Sequence, residues 1–385
     1  MAFVRRESAF RNWLGAPEFP YENGRYVLYV ARACGWANRA VVVYNLKGLT
    51  RKHMEVSIVH PTWQRTRPTG YVSPFGDLKL PKNDANVAGS QLDPKLYSAE
   101  GRASDNKKED LHCGWAFAKP GEVVTPICGF GAIATDDVIE DKFSGYHAQY
   151  VRDLYEISEL KLHLDHSSGP FTVPLVWDTQ AGRIVNNESS EIIQMLDAWP
   201  ADADVQPAFL NPEELVDEMR PINEKVYKEI SNGVYRCGFC QSQDTYDEAA
   251  ASIENAMRWL DEHLKDRIFL VGETLTLADV RAFPQLMRME DVYVVYFKCN
   301  HVRIDKFPNI KRYLARLYAI KAFRDSINME DIRKHYFTSH AKFGPFAIVP
   351  AQTSFLREIV QIAKDKGFAD DYARSVGTKR KACGD

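Results

Sequence analysis

One stretch of this chain, RYVLYVARACGWANRAVVVYNLKGL at residues 25–49, constrains the fold more than any other. Residues 26–31 form a short apolar run of strand formers, which is typical of a buried strand. Residues 37–46 have the pattern of a helix, and Gly48 is placed to end it. Cys34 lies between the two, so we predict a cysteine at the point where a strand turns into a helix.

That position has a chemical meaning for Cys34. The first turn of a helix leaves its N–H groups without internal partners and carries the positive end of the helix dipole, so it stabilises a thiolate over a thiol. Free cysteine titrates near pH about 8.5, and helix N-termini lower this to about 3.5–7.5. Arg32 and Arg39 add positive charge nearby. We therefore predict a nucleophile, the alternative being a structural cysteine in a turn, as most lone cysteines are.

Composition sets the class of protein and its compartment. The chain has 385 residues, of which 45% are hydrophobic and 26% charged, as expected for a globular protein with two domains. A net charge of −3 predicts neither a nucleic-acid nor a membrane partner. Seven scattered cysteines favour a reducing compartment, so we expect a cytoplasmic protein. We find no membrane-length apolar run, no secretory signal and no metal-ligand spacing among the histidines.

The remainder of the N-terminal half is consistent with an α/β domain. Residues 1–24 hold aromatic side chains among charges and are predicted to pack on the body as an arm. Residues 54–59 form a second strand, which makes a β-α-β unit with parallel strands. Residues 64–112 are rich in Pro, Gly, Asn, Asp and Lys without periodicity, which indicates an insertion or mobile loop. A helix is predicted over residues 144–164.

A β-hairpin is predicted at residues 173–185, followed by a helix. Pro174, at the start of the first strand, is a candidate for a cis bond that leaves the backbone of Val173 exposed for a ligand strand. Glu188 and Ser189 open the helix. Ser189 either donates to an anionic group gathered at that N-terminus or simply caps the helix.

Residues 210–335 have the pattern of an all-helical domain. Thr276 and Asp279 have the spacing of a capping box, with Thr276 as the N-cap. Cys237 and Cys240 have the spacing of a redox or zinc pair, but no second pair exists, and we place them inside a helix as structural residues.

These pieces together resemble the thioredoxin-like domain of a glutathione transferase. Longer stretches are similar to the glutathionyl-hydroquinone reductases, the Xi class of that superfamily: FVRRESAFRNW, RYVLYVARACGWANR, VPLVWD, IVNNESSEII, NGVYRCGF, FKCN and KHYFTSH. The resemblance implies an α/β thioredoxin-like N-terminal domain followed by an all-α C-terminal domain. The predicted divisions are an arm at 1–24, a thioredoxin-like domain at 25–200, a helical domain at 210–335 and an extension at 336–385.

The resemblance also implies a site and a reaction. Cys34 would be the nucleophile that removes glutathione from a glutathionyl-hydroquinone and forms a mixed disulfide, and Tyr235 and Tyr336 would contact the hydroquinone. Glutathione would be the co-substrate, with no metal, and the enzyme would act on aromatic glutathione conjugates as a homodimer. The residues implied in glutathione binding are Trp115, Val173, Pro174, Glu188 and Ser189.

The chain departs from the family pattern beside the nucleophile. The family shows Cys-Pro-Trp-Ala-His-Arg, whereas this chain has Gly35 in place of proline and Asn38 in place of histidine. The departures bear on rate and substrate preference rather than on fold. Two alternatives therefore stay open. One is an omega-like thiol transferase or dehydroascorbate reductase, which shares the cysteine but not the tyrosines. The other is a catalytically impaired glutathione-binding interaction protein that uses the insertion as its partner site.

Overall fold

The structure is a computed structural model that describes residues 7–68, 71, 112–129, 131–164, 170–341 and 343–368. Most of the insertion predicted at 64–112 lies outside the described residues. The same holds for the first six residues of the predicted arm and for residues 369–385 of the predicted C-terminal extension.

The first half of the chain is built on a four-stranded mixed sheet. Its strands are β1 (Tyr26–Val30), β2 (Met54–Ile58), β5 (Leu175–Asp178) and β6 (Arg183–Asn186), and a separate pair consists of β3 (Gln64–Arg65) and β4 (Cys113–Gly114). The sheet order is β2-β1-β5-β6, with β1 parallel to β2 and antiparallel to β5. All five residues of β1 are buried, as expected for a central strand. The predicted β-α-β unit is confirmed.

Helix α1 (Gly35–Lys47) follows β1 and ends where predicted. Gly48 has a left-handed backbone with φ of 73°, and its N–H donates to carbonyls of the last turn. A Cβ there would lie 2.5 Å from the carbonyl oxygen of Asp204, so only glycine fits. The helix packs against α3 (Ser189–Asp197) and α7 (Leu277–Met287), which places its N-terminus between the two halves of the chain.

The hairpin is as predicted, and the described part of the arm packs on the sheet. Strands β5 and β6 pair antiparallel, and the Val173–Pro174 bond is cis. The arm lies along β6, because the N–H of Asn12 donates to Val185 and the N–H of Asn187 donates to Phe10. The arm therefore extends the edge of the sheet toward the start of α3.

The helix predicted over 144–164 is shorter than expected, since α2 spans Val151–Leu162. Asp153 accepts from the N–H of Tyr150 and forms a capping box that starts the helix there. The preceding backbone is held instead by Asp141, which accepts from the N–H groups of Ser144 and Ala148. Asp141, which lies outside residues 144–164, thus gives these backbone N–H groups acceptors other than those of a helix.

The second half is helical. Its α-helices are α4 (Val216–Lys225), α5 (Gly233–Phe239), α6 (Gln243–His263), α7 (Leu277–Met287), α8 (Val294–Tyr296), α9 (Pro308–Ala319), α10 (Lys321–Arg324), α11 (Met329–Ser339) and α12 (Phe355–Asp365). Short 3-10 turns lie at Glu213–Leu215 and Ile304–Lys306, and π-helical turns at Val226–Ser231 and Met289–Tyr293. Helix α11 crosses the predicted boundary at residue 335, and α12 packs on α9.

Two local predictions in this half have different outcomes. The capping box at the start of α7 is confirmed, because Asp279 accepts from the N–H of Thr276 and Thr276 accepts from the N–H of Ala278. Cys240 does not lie inside a helix as predicted. It is the C-cap of α5, with ψ of 150°, so the chain leaves the helix at that residue.

Among the described residues, none of the helices combines the length and apolarity needed to span a bilayer.

Candidate active site

Cys34 is the N-cap of α1 and lies at the end of the turn from β1. Its backbone is extended, with φ of −76° and ψ of 118°, and its carbonyl accepts the first helical hydrogen bond from the N–H of Asn38 at 2.9 Å. Its Sγ donates to the carbonyl oxygen of Val173 at 3.4 Å, and the residue is half-buried. A thiol is thus held at the positive end of a helix with access to solvent.

Val173 and Pro174 lie directly beside this thiol. Both side chains are buried, and the chain enters β5 one residue later. Among the described residues, the pairing of β1 with β5 ends at Tyr29 and Leu175. The backbone of Val173 therefore lies just beyond the paired part of the sheet, next to Cys34.

Glu188 and Ser189 lie at the start of α3. The N-cap is Glu188, whose Oε1 accepts from the N–H of Ser190 at 3.0 Å and whose Oε2 accepts from Ser8 of the arm at 2.9 Å. The half-buried Arg281 lies close enough to interact electrostatically with Glu188. Loss of contact with water lowers the pKa of Arg281 to about 10, and the carboxylate opposes that shift. A carboxylate, a helix N-terminus and a guanidinium meet here.

Trp115 belongs to an aromatic wall rather than to an open loop. Its buried ring stacks on His335, with ring centroids 4.5 Å apart and planes 26° apart, and lies at right angles to Trp63. The Nδ1 of His335 lies 2.8 Å from the carbonyl oxygen of Pro61, so Nδ1 carries the proton. Burial lowers the pKa of His335 well below its ordinary value, and the wall is therefore uncharged.

Tyr235 and Tyr336 come together through their hydroxyls, whose oxygens are 2.9 Å apart. The hydroxyl of Tyr293 lies 3.3 Å from that of Tyr336 and completes a group of three phenols that our sequence analysis missed. Burial raises the pKa of Tyr293 and Tyr336 well above 10, so both remain protonated donors at neutral pH. One signal was available: Tyr293 precedes Phe297 of the FKCN stretch by four residues, and the two rings stack.

Arg288, the C-cap of α7, lies between the turn that carries Cys34 and the phenols, and our sequence analysis missed it as well. Its fully buried guanidinium donates to the carbonyl of Ala33 at 3.2 Å and to that of Arg32 at 3.3 Å. It also lies close enough to Tyr293 and Tyr336 to interact with them electrostatically. One side chain therefore contacts the turn before Cys34 and lies near the phenols.

The two departures from the family pattern both face α7. A Cβ on Gly35 would lie 3.0 Å from Nε2 of Gln285, so the amide of Gln285 occupies the space beside the glycine. Asn38 is buried; its Nδ2 donates to the carbonyl of Ser326 at 2.8 Å, and its Oδ1 accepts from Arg288 at 3.4 Å. Both positions are packed into the boundary between the halves.

Within the part of the chain that the structure describes, one group of side chains has the spacing of metal ligands, but its members are paired with one another and with Lys52. His53, Asp202 and Asp204 offer ligand atoms within 4.8 Å of one another. The N–H of Thr50 donates to Nδ1 of His53, so Nε2 carries the proton and donates to Asp202 at 3.0 Å. The ammonium of Lys52 lies 3.5 Å from the same carboxylate. The imidazole N–H and the ammonium thus already serve as partners of this carboxylate.

Comparison with known proteins points to one family. Residues 243–316 match the model described as "Glutathione S-transferase, C-terminal domain". The chain is 34% identical to glutathionyl-hydroquinone reductase PcpF of Sphingobium chlorophenolicum over 348 residues, 90% of this chain and 88% of that protein. It is 32% identical to glutathionyl-hydroquinone reductase YqjG of Escherichia coli over 359 residues, with the same coverage. It is 30% identical to "Glutathione S-transferase omega-like 2" of Schizosaccharomyces pombe, over 90% of this chain and 92% of that protein.

Solved structures agree with these relatives. The glutathione-S-transferase Xi of Phanerochaete chrysosporium superposes with a TM-score of 0.70 at 32% identity, covering 91% of this chain and 97% of that one. The glutathione-bound structure of YqjG superposes with a TM-score of 0.67 at 29% identity, covering 90% and 94%. The predicted fold, a thioredoxin-like domain followed by an all-α domain, is therefore confirmed. The chain is an enzyme of the glutathione transferase superfamily and belongs to its Xi class, the glutathionyl-hydroquinone reductases.

Proposed function

We propose that this enzyme reduces glutathionyl-hydroquinones to hydroquinones with glutathione as the co-substrate. The observation that carries the proposal is the arrangement around Arg288, which holds the turn before Cys34 and lies near the phenols of Tyr293 and Tyr336. Cys34 supplies a nucleophile for sulfur, and the phenols supply hydrogen bonds for ring oxygens. Glutathione itself is supported by the glutathione-bound structure of YqjG.

The peptide part of the conjugate would bind in the N-terminal half. Its backbone would add as a strand to Val173, with Pro174 shaping that segment, beside the Sγ of Cys34. Its γ-glutamyl end would lie at the start of α3, where the carboxylate of Glu188 suits the ammonium group and the N-terminus at Ser189 suits the carboxylate. The ring of Trp115 would cover the bound tripeptide.

The chemistry consists of two thiol exchanges. In the first, the thiolate of Cys34 attacks the sulfur of the conjugate, so an S–S bond forms as the carbon–sulfur bond breaks. The ring carbon leaves with the electron pair and takes a proton, which reduces the ring by two electrons and oxidises the sulfur. In the second, a glutathione thiolate attacks the mixed disulfide, releases oxidised glutathione and restores the thiolate of Cys34.

The three phenols would bind the ring. Tyr235 and Tyr336 donate hydrogen bonds to the ring oxygens, and Tyr293 orients the hydroxyl of Tyr336. A phenol is suited to this task because it keeps its proton in a buried site and still contacts the ring with its apolar face.

The decisive experiment measures release of hydroquinone and oxidised glutathione from a glutathionyl-hydroquinone. We expect turnover by the wild type and none by Cys34→Ala. Cys240→Ser is the matched control, because Cys240 is also half-buried but donates to the carbonyl of Cys237 at the end of α5. Absence of turnover by a folded wild type that still binds glutathione would refute the proposal and favour the binding protein.

An omega-like thiol transferase is the second candidate, and the relative from Schizosaccharomyces pombe carries that name. Exchange between Cys34 and a simple glutathione disulfide needs the thiol and the glutathione site but not the phenols. If the enzyme exchanges such disulfides and leaves glutathionyl-hydroquinones intact, this second activity is its function. The homodimer and the cytoplasmic location also remain predictions, and sedimentation of the purified protein tests the first.

A further inference from the structure

Arg288 carries a charge that its neighbours do not cancel. Its side chain is fully buried at the end of α7. The acceptors that the described residues offer to its guanidinium are all neutral: the carbonyls of Arg32, Ala33 and Pro284 and the amide oxygen of Asn38. Burying an ionised group without an opposite charge is costly. Carbonyl dipoles and the negative end of α7 solvate the cation, but the net positive charge remains.

The guanidinium lies beside both chain neighbours of Cys34, Ala33 and Gly35. Its Nε and Nη2 donate to the carbonyl of Ala33, the residue before the cysteine. Its Nε also lies 3.6 Å from where a Cβ on Gly35, the residue after the cysteine, would be. The absence of a side chain at Gly35 thus leaves only a narrow space between the start of α1 and this cation.

Two carboxyl groups lie near the turn, and both interact with Arg32: Asp137, and the buried Asp331, whose pKa burial raises to about 6. Arg32 is paired with Asp137, with Nε and Oδ2 3.1 Å apart. On α1, Arg39 lies over the ring of Trp36 and donates to the carbonyl of Arg281. From the helices packed against the turn, Tyr293, Tyr336 and His335 interact with Arg288, and burial keeps all three uncharged at neutral pH.

We propose that Arg288 is a positioning residue for the reaction: it fixes the turn that carries Cys34, and its positive charge stabilises the thiolate. Asn38, in place of the family histidine, accepts from the guanidinium without adding charge of its own. The inference rests on the proposed function in one respect, since it takes Cys34 to be the nucleophile. It extends that function by assigning the thiolate a buried counter-ion on the other half of the chain.

The test measures alkylation of Cys34 by iodoacetamide, read by mass spectrometry of the Cys34 peptide from about pH 4 to about pH 9. Arg288→Gln should move the pH midpoint of alkylation up by about 1 or more, since a nearby opposite charge favours the ionised form of an acid and shifts its titration by about 1–3. The alkylation rate at low pH should fall about tenfold. Arg288→Lys keeps the charge and should retain most of the wild-type midpoint.

Two further variants check whether charge at this position controls the midpoint. Asn38→Asp places a carboxylate against the guanidinium, so it offsets the charge without removing Arg288 and should move the midpoint in the same direction as Arg288→Gln. Lys47→Met removes another buried basic side chain, at the far end of α1, and should leave the midpoint unchanged.

The outcomes separate this inference from the proposed function. If folded Arg288→Gln has the wild-type midpoint, the proposed role of the charge is overturned. If Arg288→Gln does not fold, a wild-type midpoint in Asn38→Asp overturns it instead. So does a shift in Arg288→Lys equal to that in Arg288→Gln. In both cases a reactive Cys34 leaves the proposed function intact. A Cys34 that is inert in the wild type overturns both proposals.

Discussion

Replacing Tyr336 by phenylalanine isolates the part of the site that would recognise the hydroquinone. The hydroxyl of Tyr336 lies 2.9 Å from that of Tyr235 and 3.3 Å from that of Tyr293, so it is the centre of the three phenols. Its removal takes away one hydrogen bond to the ring and the partner that orients a second. At about 0.5–1.5 kcal/mol for each neutral hydrogen bond, the combined loss is about 1.5 kcal/mol. We therefore expect kcat/KM for a glutathionyl-hydroquinone to fall about tenfold.

The assay compares two substrates with the same enzyme. Initial rates of oxidised glutathione formation are measured with a glutathionyl-hydroquinone and with a simple glutathione disulfide, whose exchange should change less than about twofold because it needs no ring contact. Tyr296→Phe is the matched control, since its hydroxyl donates to the carbonyl of His340 and its ring centroid lies 6.1 Å from that of Tyr336. Equal losses with both substrates, or an equal loss in Tyr296→Phe, would refute the reasoning.

Three more predictions test the surroundings of the site. Gly35→Ala should change the free energy of unfolding by less than about 0.5 kcal/mol. Alanine stabilises a helix by about 0.5–1 kcal/mol relative to glycine, but here the new Cβ is in close contact with the amide of Gln285. Denaturant unfolding of Gly35→Ala in a Gln285→Ala background, as a double-mutant cycle, should reveal that stabilisation. Glu188→Gln should raise KM for the glutathionyl-hydroquinone about tenfold with a smaller effect on kcat, measured at saturating glutathione. Burial opposes ionisation of Asp178, but hydrogen bonds from Arg25 and from backbone N–H groups lower its pKa. The ionised carboxylate therefore stabilises the folded protein above about pH 4, and this stabilisation is lost as the pH falls further. Urea unfolding of Asp178→Asn should show a flatter dependence of the unfolding free energy on pH in that range.

The parts of the fold that could be predicted are those whose signal is local. The apolar run of β1, the helix pattern of α1 and the glycine that ends it are contained in residues 25–49, and all three are present in the structure. The hairpin and the capping box of α7 are equally local. The helix over 144–164 was predicted too long because the carboxylate that holds residues 144–148, Asp141, lies before the segment that shows the helical pattern.

The parts of the site that could not be predicted depend on contacts between distant segments. Arg288 and Ala33 are 255 residues apart in the chain, and nothing in the pattern around either residue indicates that they meet. Tyr293 lies in a π-helical turn that follows α7 directly, so its direction depends on the local shift in helix geometry rather than on a regular repeat. Sequence patterns predicted Cys34 as the nucleophile, whereas only the packing of α7 against α1 showed what surrounds that residue.

The same packing changes the meaning of the variant motif. Considered alone, Gly35 and Asn38 look like losses, because one removes a rigid first turn and the other a titratable ring. In the structure each has a counterpart on α7: Gln285 fills the space beside Gly35, and Arg288 donates to Asn38. Restoring the family residues one at a time would therefore disturb α7, since a proline ring at position 35 would meet the Gln285 amide at about van der Waals distance or closer. The motif and the end of α7 form one unit, and we expect the reactivity of Cys34 to depend on that unit rather than on the motif alone.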